Sequence, residues 1–161
     1  MIIVGDTFPS FKLQGVIGDQ IKSYSSDMLT DTWTILFFYP EDFSFICPTE
    51  AKAFEKYKDK INEDGGQVLG ISVDDIDIHK AWIKELNLSF PLLSDDKYEL
   101  SKSVGVLDTD SKAKRATFIV GPDCKIEFSM VTNRNVGRSV EETLRVFEAI
   151  QSGRMCPVDY N

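Results

Sequence analysis

Apolar and polar positions divide the chain into short periodic segments separated by turn signals. Residues 11–24, FKLQGVIGDQIKSY, predict a β-hairpin that turns at Gly18-Asp19. Residues 32–40, TWTILFFYP, are almost continuously apolar and stop at Pro40, the pattern of a strand buried on both faces. PTEAKAFEKYKDKINEDGG follows as a helix, with Ala53, Phe54, Tyr57 and Ile61 near one face and Gly65-Gly66 as its end. QVLGISVD predicts a second buried strand. DIDIHKAWIKELNL predicts a helix with Ile78, Trp82 and Leu86 on its apolar stripe. KYELSKSVGV predicts a shorter helix. ATFIVGPDCKIEFSMV predicts two strands joined at Gly121-Pro122-Asp123. SVEETLRVFEAIQSG closes the series as a helix with capping-box spacing between Ser139 and Glu142.

A strand–helix–strand order in the middle of the chain implies a parallel pair joined by a right-handed crossover, and the last hairpin adds antiparallel strands. The expected fold is α/β: a thioredoxin-like mixed β-sheet flanked by helices, with an N-terminal hairpin. No repeat, low-complexity stretch or linker interrupts the 161 residues, so residues 1–161 read as one domain, with 152–161 as a C-terminal tail.

Charge narrows the partners. A formal net charge of −8 disfavours nucleic acid and anionic membrane surfaces. No apolar run approaches the length that spans a bilayer, and MIIVGDTFPSFKL lacks the layout of an export signal. The expected location is cytoplasmic. Three widely spaced cysteines, Cys47, Cys124 and Cys156, do not form a disulfide framework. With His79 as the single histidine and no CxxC pair, a zinc site is not expected either.

Cys47 occupies an unusual place. Pro48 suits the first helical position, which puts Cys47 at or near the N-cap of the helix. There a sulfur faces the unpaired amides of the first turn and the positive end of the helix dipole, and both favour thiolate over thiol. A buried, inert cysteine before a good helix start remains the alternative reading.

FYPEDFSFICPTE resembles the active-site segment of the peroxiredoxins, Pro-x-x-x-Thr/Ser-x-x-Cys, here Pro40, Ser44 and Cys47. FYP, DF and CPTE together are similar to the typical two-cysteine branch, in particular its bacterial alkyl hydroperoxide reductase type. GDTFPSFKL, LGISVD, HKAW, FPLLSD, RATFIVGPD and NVGRSVEETLRVFEAIQ fall in the order of that family along nearly the whole chain.

The resemblance implies a thiol peroxidase with no bound cofactor. It makes Cys47 the nucleophile that becomes a sulfenic acid on reaction with a hydroperoxide. It implies that Ser44 and Arg115 contact sulfur and substrate, and that Pro40 shapes the pocket. Glu50 and Arg138 would support the site from behind. Cys156 would resolve the sulfenic acid across a homodimer, with Cys124 as its rival for that role, and the branch often forms rings of five dimers. The electron donor would be thioredoxin or a dedicated disulfide reductase. His79 is expected to be a packing residue. Two other functions compete: a thioredoxin-like binding or chaperone module with an inert Cys47, and a thiol–disulfide oxidoreductase. The second is disfavoured because Glu50 holds the place of a CxxC partner.

Overall fold

The computed structural model describes residues 1–158; the last three residues of the expected tail lie outside it. Its strands are β1 (Lys12–Ile17), β2 (Gln20–Ser25), β3 (Trp33–Phe38), β4 (Gly66–Ser72), β5 (Leu92–Ser94), β6 (Arg115–Val120) and β7 (Ile126–Thr132). Its helices are α1 (Cys47–Glu63), α2 (Ile76–Leu86), α3 (Glu99–Val104) and α4 (Val140–Ser152), with one 3₁₀ turn at Ser26–Leu29. The strands form a single seven-stranded sheet in the order β2-β1-β5-β4-β3-β6-β7. The pairs β3–β4 and β4–β5 are parallel and all other pairs antiparallel. The architecture is thioredoxin-like, as the order of segments predicts.

Strand alternation explains how one apolar run builds two cores. Ile35 and Phe37 of β3 face α1, α2 and α4, packing with Phe54, Trp82 and Phe147. Leu36 and Phe38 face the other way, toward α3 and the N-terminal segment, packing with Phe8, Leu100 and Phe118. Successive positions of β6 divide in the same way: Ile119 joins the first cluster, while Ala116, Phe118 and Val120 join the second.

Three local expectations need correction. β5 was not foreseen; it is three residues long and follows a proline, so it carries no readable period. Cys47 is the first helical residue, with Ile46 at the cap and Pro48 one place further in. The buried stripe of α2 is His79, Trp82 and Ile83, one position round from the expected face, and Ile78 is exposed. The helix turns that way because His79 finds buried hydrogen-bond partners, so a polar residue takes a core position. At α4, Ser139 caps as expected by accepting from the Glu142 amide, while the Glu142 carboxylate pairs with Arg145 and leaves the capping box half formed.

Packing is tight where the parallel strands meet. A Cβ on Gly70 would lie 2.6 Å from Leu92 Cδ2 and 2.8 Å from the Phe37 ring. Gly70→Ala is therefore expected to destabilise the fold by about 1–3 kcal/mol, the usual cost of overpacking, read as a lower midpoint in urea denaturation.

Candidate active site

The carboxyl end of β3, the start of β6 and the first turn of α1 meet at one edge of the sheet. Phe38 and Ala116 are register partners, so the chain leaving β3 and the chain entering β6 lie side by side. Residues 39–46 then carry the chain round to the start of α1. Arg115 opens β6 two residues before Thr117 and four before Ile119, and side chains at this spacing share a sheet face. That is the face on which α1 lies.

The arrangement brings Cys47, Glu50, Arg115 and Arg138 together, all buried. Arg115 Nη1 donates to Cys47 Sγ at 3.4 Å. The same nitrogen is paired with Glu50 Oε1. Arg115 Nη2 donates to the Arg134 carbonyl at 2.9 Å. Its Nε, also buried, has no hydrogen-bond partner among the described residues. Arg138 donates through Nε to Glu50 Oε2 at 2.7 Å, through Nη1 to the Ala116 carbonyl at 2.8 Å, and through Nη2 to the Phe38 carbonyl at 2.5 Å. Burial pulls the Arg138 guanidinium below its ordinary value, and the Glu50 charge opposes that shift. Two guanidiniums and one carboxylate leave one surplus positive charge beside the sulfur.

Ser44 is placed at the cysteine's backbone. Its Oγ accepts from the Cys47 amide at 3.3 Å, capping the helix from outside its formal boundary. Pro40, Ser44 and Arg115 line a cleft of about 720 Å³ that opens to solvent over this corner. Phe45, on the same loop, is 93% exposed. Cys156 lies elsewhere on its own chain, beyond α4, with its thiol directed at the Arg154 carbonyl at 3.2 Å. Cys124 sits at a left-handed position in the β6–β7 turn, 3.6 Å from Thr30 Oγ1. All three cysteines are free thiols.

The loop that carries Ser44 is anchored by Tyr39, Asp42, Asp74 and His79, of which the sequence singled out His79 alone, as a packing residue. Asp42 accepts from the Tyr39 hydroxyl at 2.6 Å, and its other oxygen lies 2.6 Å from His79 Nδ1. His79 Nε2 donates to the Leu93 carbonyl at 2.9 Å. The Asp42 amide donates to Asp74 Oδ2, which also accepts from the Ser72 hydroxyl. Burial raises the Tyr39 phenol well above its ordinary value, helped by the Asp42 charge, and burial also raises the Asp74 carboxyl. His79 is thus a structural residue, but one bonded to the active-site loop. Only the acidic residue next to an aromatic in EDF hinted at this anchor. Directly after Asp42, Phe43 adopts a left-handed backbone with φ of 57°, and its ring leans on Trp82 at 6.5 Å between centroids.

Comparison with known proteins points in one direction. The AhpC/TSA family profile matches residues 4–129. Alkyl hydroperoxide reductase C of Mycobacterium tuberculosis is 39% identical over 176 aligned positions, covering 99% of this chain and 90% of that protein. The solved structure of Mycobacterium bovis AhpC matches with a TM-score of 0.92 at 38% identity, covering 100% of this chain and 99% of that one. The reduced 2-Cys peroxiredoxin of Plasmodium vivax matches with a TM-score of 0.94 at 34% identity, covering 100% and 90%.

Glu50→Gln would leave two buried guanidiniums without a compensating charge. It is expected to lower stability by about 3–5 kcal/mol, the range for breaking a buried ion pair from one side, measured by denaturant unfolding of the reduced protein.

Proposed function

The chain belongs to the AhpC/TSA family, and from that premise we propose that it is a thiol peroxidase reducing hydrogen peroxide and small organic hydroperoxides, with Cys47 as its nucleophile. The observation that carries this reading is the surplus positive charge beside the sulfur: Arg115 Nη1 at 3.4 Å, with Glu50 cancelling only one of two buried guanidiniums. An anionic sulfur brings that cluster to neutrality.

The first step uses this charge. The Cys47 thiolate attacks one peroxide oxygen, an S–O bond forms and the O–O bond breaks. The peroxide gains two electrons, and the other oxygen leaves as alkoxide or hydroxide and takes a proton to become alcohol or water. The sulfur is left as a sulfenic acid. Negative charge spreads over sulfur and both oxygens on the way, so fixed donors count for more than a base. The buried Arg115 Nε, with no partner among the described residues, is suited to donate to a peroxide oxygen. Ser44 holds the Cys47 amide, and its hydroxyl hydrogen remains available to the substrate. Pro40 closes one wall.

The second step passes the oxidation on. Cys156 of the partner subunit attacks the sulfenic sulfur, a disulfide forms and water leaves. A disulfide requires Cα atoms about 4.4–6.8 Å apart, and Cys47 is buried in the first turn of α1. The turn carrying Cys47 and the tail carrying Cys156 therefore open locally during the cycle. A homodimer suits the sheet, since β7 ends it with no further strand paired to it among the described residues. The resemblance extends the assembly to rings of five dimers. Thioredoxin or a dedicated disulfide reductase then returns two electrons and two protons. Among the described residues no helix is long and apolar enough to cross a membrane, and free thiols suit the cytoplasm assigned from the sequence.

One equivalent of hydrogen peroxide added to the reduced protein is expected to yield a disulfide-linked dimer on a non-reducing gel. Cys156→Ser should consume that equivalent and stop without the linked dimer. Cys47→Ser should consume none, and retained turnover in that variant would remove the assignment.

A further inference from the structure

The peroxide group is two oxygens, whereas the cleft lined by Ser44 and Arg115, both of which bond to Cys47, measures about 720 Å³, the size of pockets that take whole organic molecules. Its wall offers Phe45, Ile46 and Val131 as apolar surface. Its charges are almost all spoken for. Arg134 is bound to Asp110 at 2.6 Å and lies 3.6 Å from Asp108. Glu41 is paired with Lys112 at 2.9 Å. Arg115 is held by Glu50 beneath the floor. Lys114 also lines the cleft, and its ammonium makes no ion pair or hydrogen bond among the described residues. Lys114 is thus the one cation of this lining that makes no ion pair among the described residues, while Arg134 offsets only one of the two aspartates it meets.

We propose that the cleft selects organic hydroperoxides that bear a carboxylate, and that Lys114 is the residue that recognises it. The inference rests on the peroxidase reading above and names the substrate class for that same site. Lys114 is adjacent to Arg115, and its amide is fixed by donation to the Val106 carbonyl at 2.7 Å. Its charge is therefore tethered beside the reacting corner. A lysine is a hydrated point charge on a flexible stem, unlike the fixed fork of arginine. It can meet carboxylates at differing distances from the peroxide while the apolar wall receives the carbon body between them. The carboxylate is not part of the reaction: its role is to hold the hydroperoxide end over the sulfur.

The test is a matched pair, cumene hydroperoxide and its 4-carboxy analogue, reacted with the full-length reduced protein in stopped-flow single turnovers. The carboxylated member is expected to react about fivefold faster, the scale of a partly exposed ion pair, with the advantage shrinking as salt rises. Lys114→Gln should erase the advantage, Lys114→Glu should invert it, and Lys114→Arg should retain it. In steady state the loss should appear in KM rather than kcat. Equal rates for the two substrates in the unmodified protein would overturn the proposal and leave the peroxidase reading intact. So would a Lys114→Gln variant that slows both substrates alike, or one that alters only disulfide formation, which would assign the charge to the partner's tail. Failure to consume any hydroperoxide would overturn both readings.

Discussion

Glu50 lies at the centre of the buried charge cluster. Its two oxygens engage two arginines from separate elements, Arg115 at the start of β6 and Arg138 ahead of α4. Arg138 in turn binds carbonyls of β3 and β6. A single carboxylate on the first turn of α1 therefore joins the helix to both strands and to the last connecting loop. Charges this deep are tolerated only when paired and hydrogen-bonded, so moving any one of these segments means breaking buried pairs. Cys47, one turn before Glu50 on the same helix, takes its position from that constraint. The site is built around the charge balance, and the sulfur is placed where that balance is one negative charge short.

A second, independent anchor holds the other end of the loop. Asp42 is gripped by Tyr39, His79 and, through its amide, Asp74, which ties the loop to β4 and α2. Between Asp42 and Glu50 the chain has no comparable fixings. Phe43 and Phe45 are exposed, and apart from the Arg115 contact to the Cys47 sulfur the side-chain hydrogen bonds of the segment are local ones made by Ser44 and Thr49. Rigid supports thus flank a short stretch of low local stability, which is what a residue needs if it must react while buried and later emerge.

What could be read beforehand follows from the range of the interactions. The run TILFF and its stop at Pro40 are local, and so are the helix start at Cys47-Pro48 and the turn at Gly121-Pro122-Asp123; each was legible from propensity and period. β5 was not, because three buried residues owe their pairing to β1 and β4 on either side. The stripe of α2 was misread by one position because a buried histidine looks polar in any periodic count. An arginine at a strand start, as Arg115 is, carries no local sign of burial. Its burial depends on Glu50 and Cys47, far away in the sequence, and only the resemblance to a family brought the three together. Asp42 was visible only as part of the DF pair, since its own segment does not reveal the imidazole it meets. The charge balance at the cleft mouth is likewise a property of loops converging in space.

The left-handed Phe43 has a thermal consequence. A non-glycine residue in this region costs about 1–2 kcal/mol, so its ring packing and the Asp42 anchor must hold the backbone against its own preference. Warming weakens hydrogen bonds and frees conformational entropy, and this turn has fewer buried contacts than the sheet to resist it. The corner around the sulfur is therefore expected to loosen before the sheet gives way. Reactivity toward small oxidants would fade on heating while the overall fold still registers as intact.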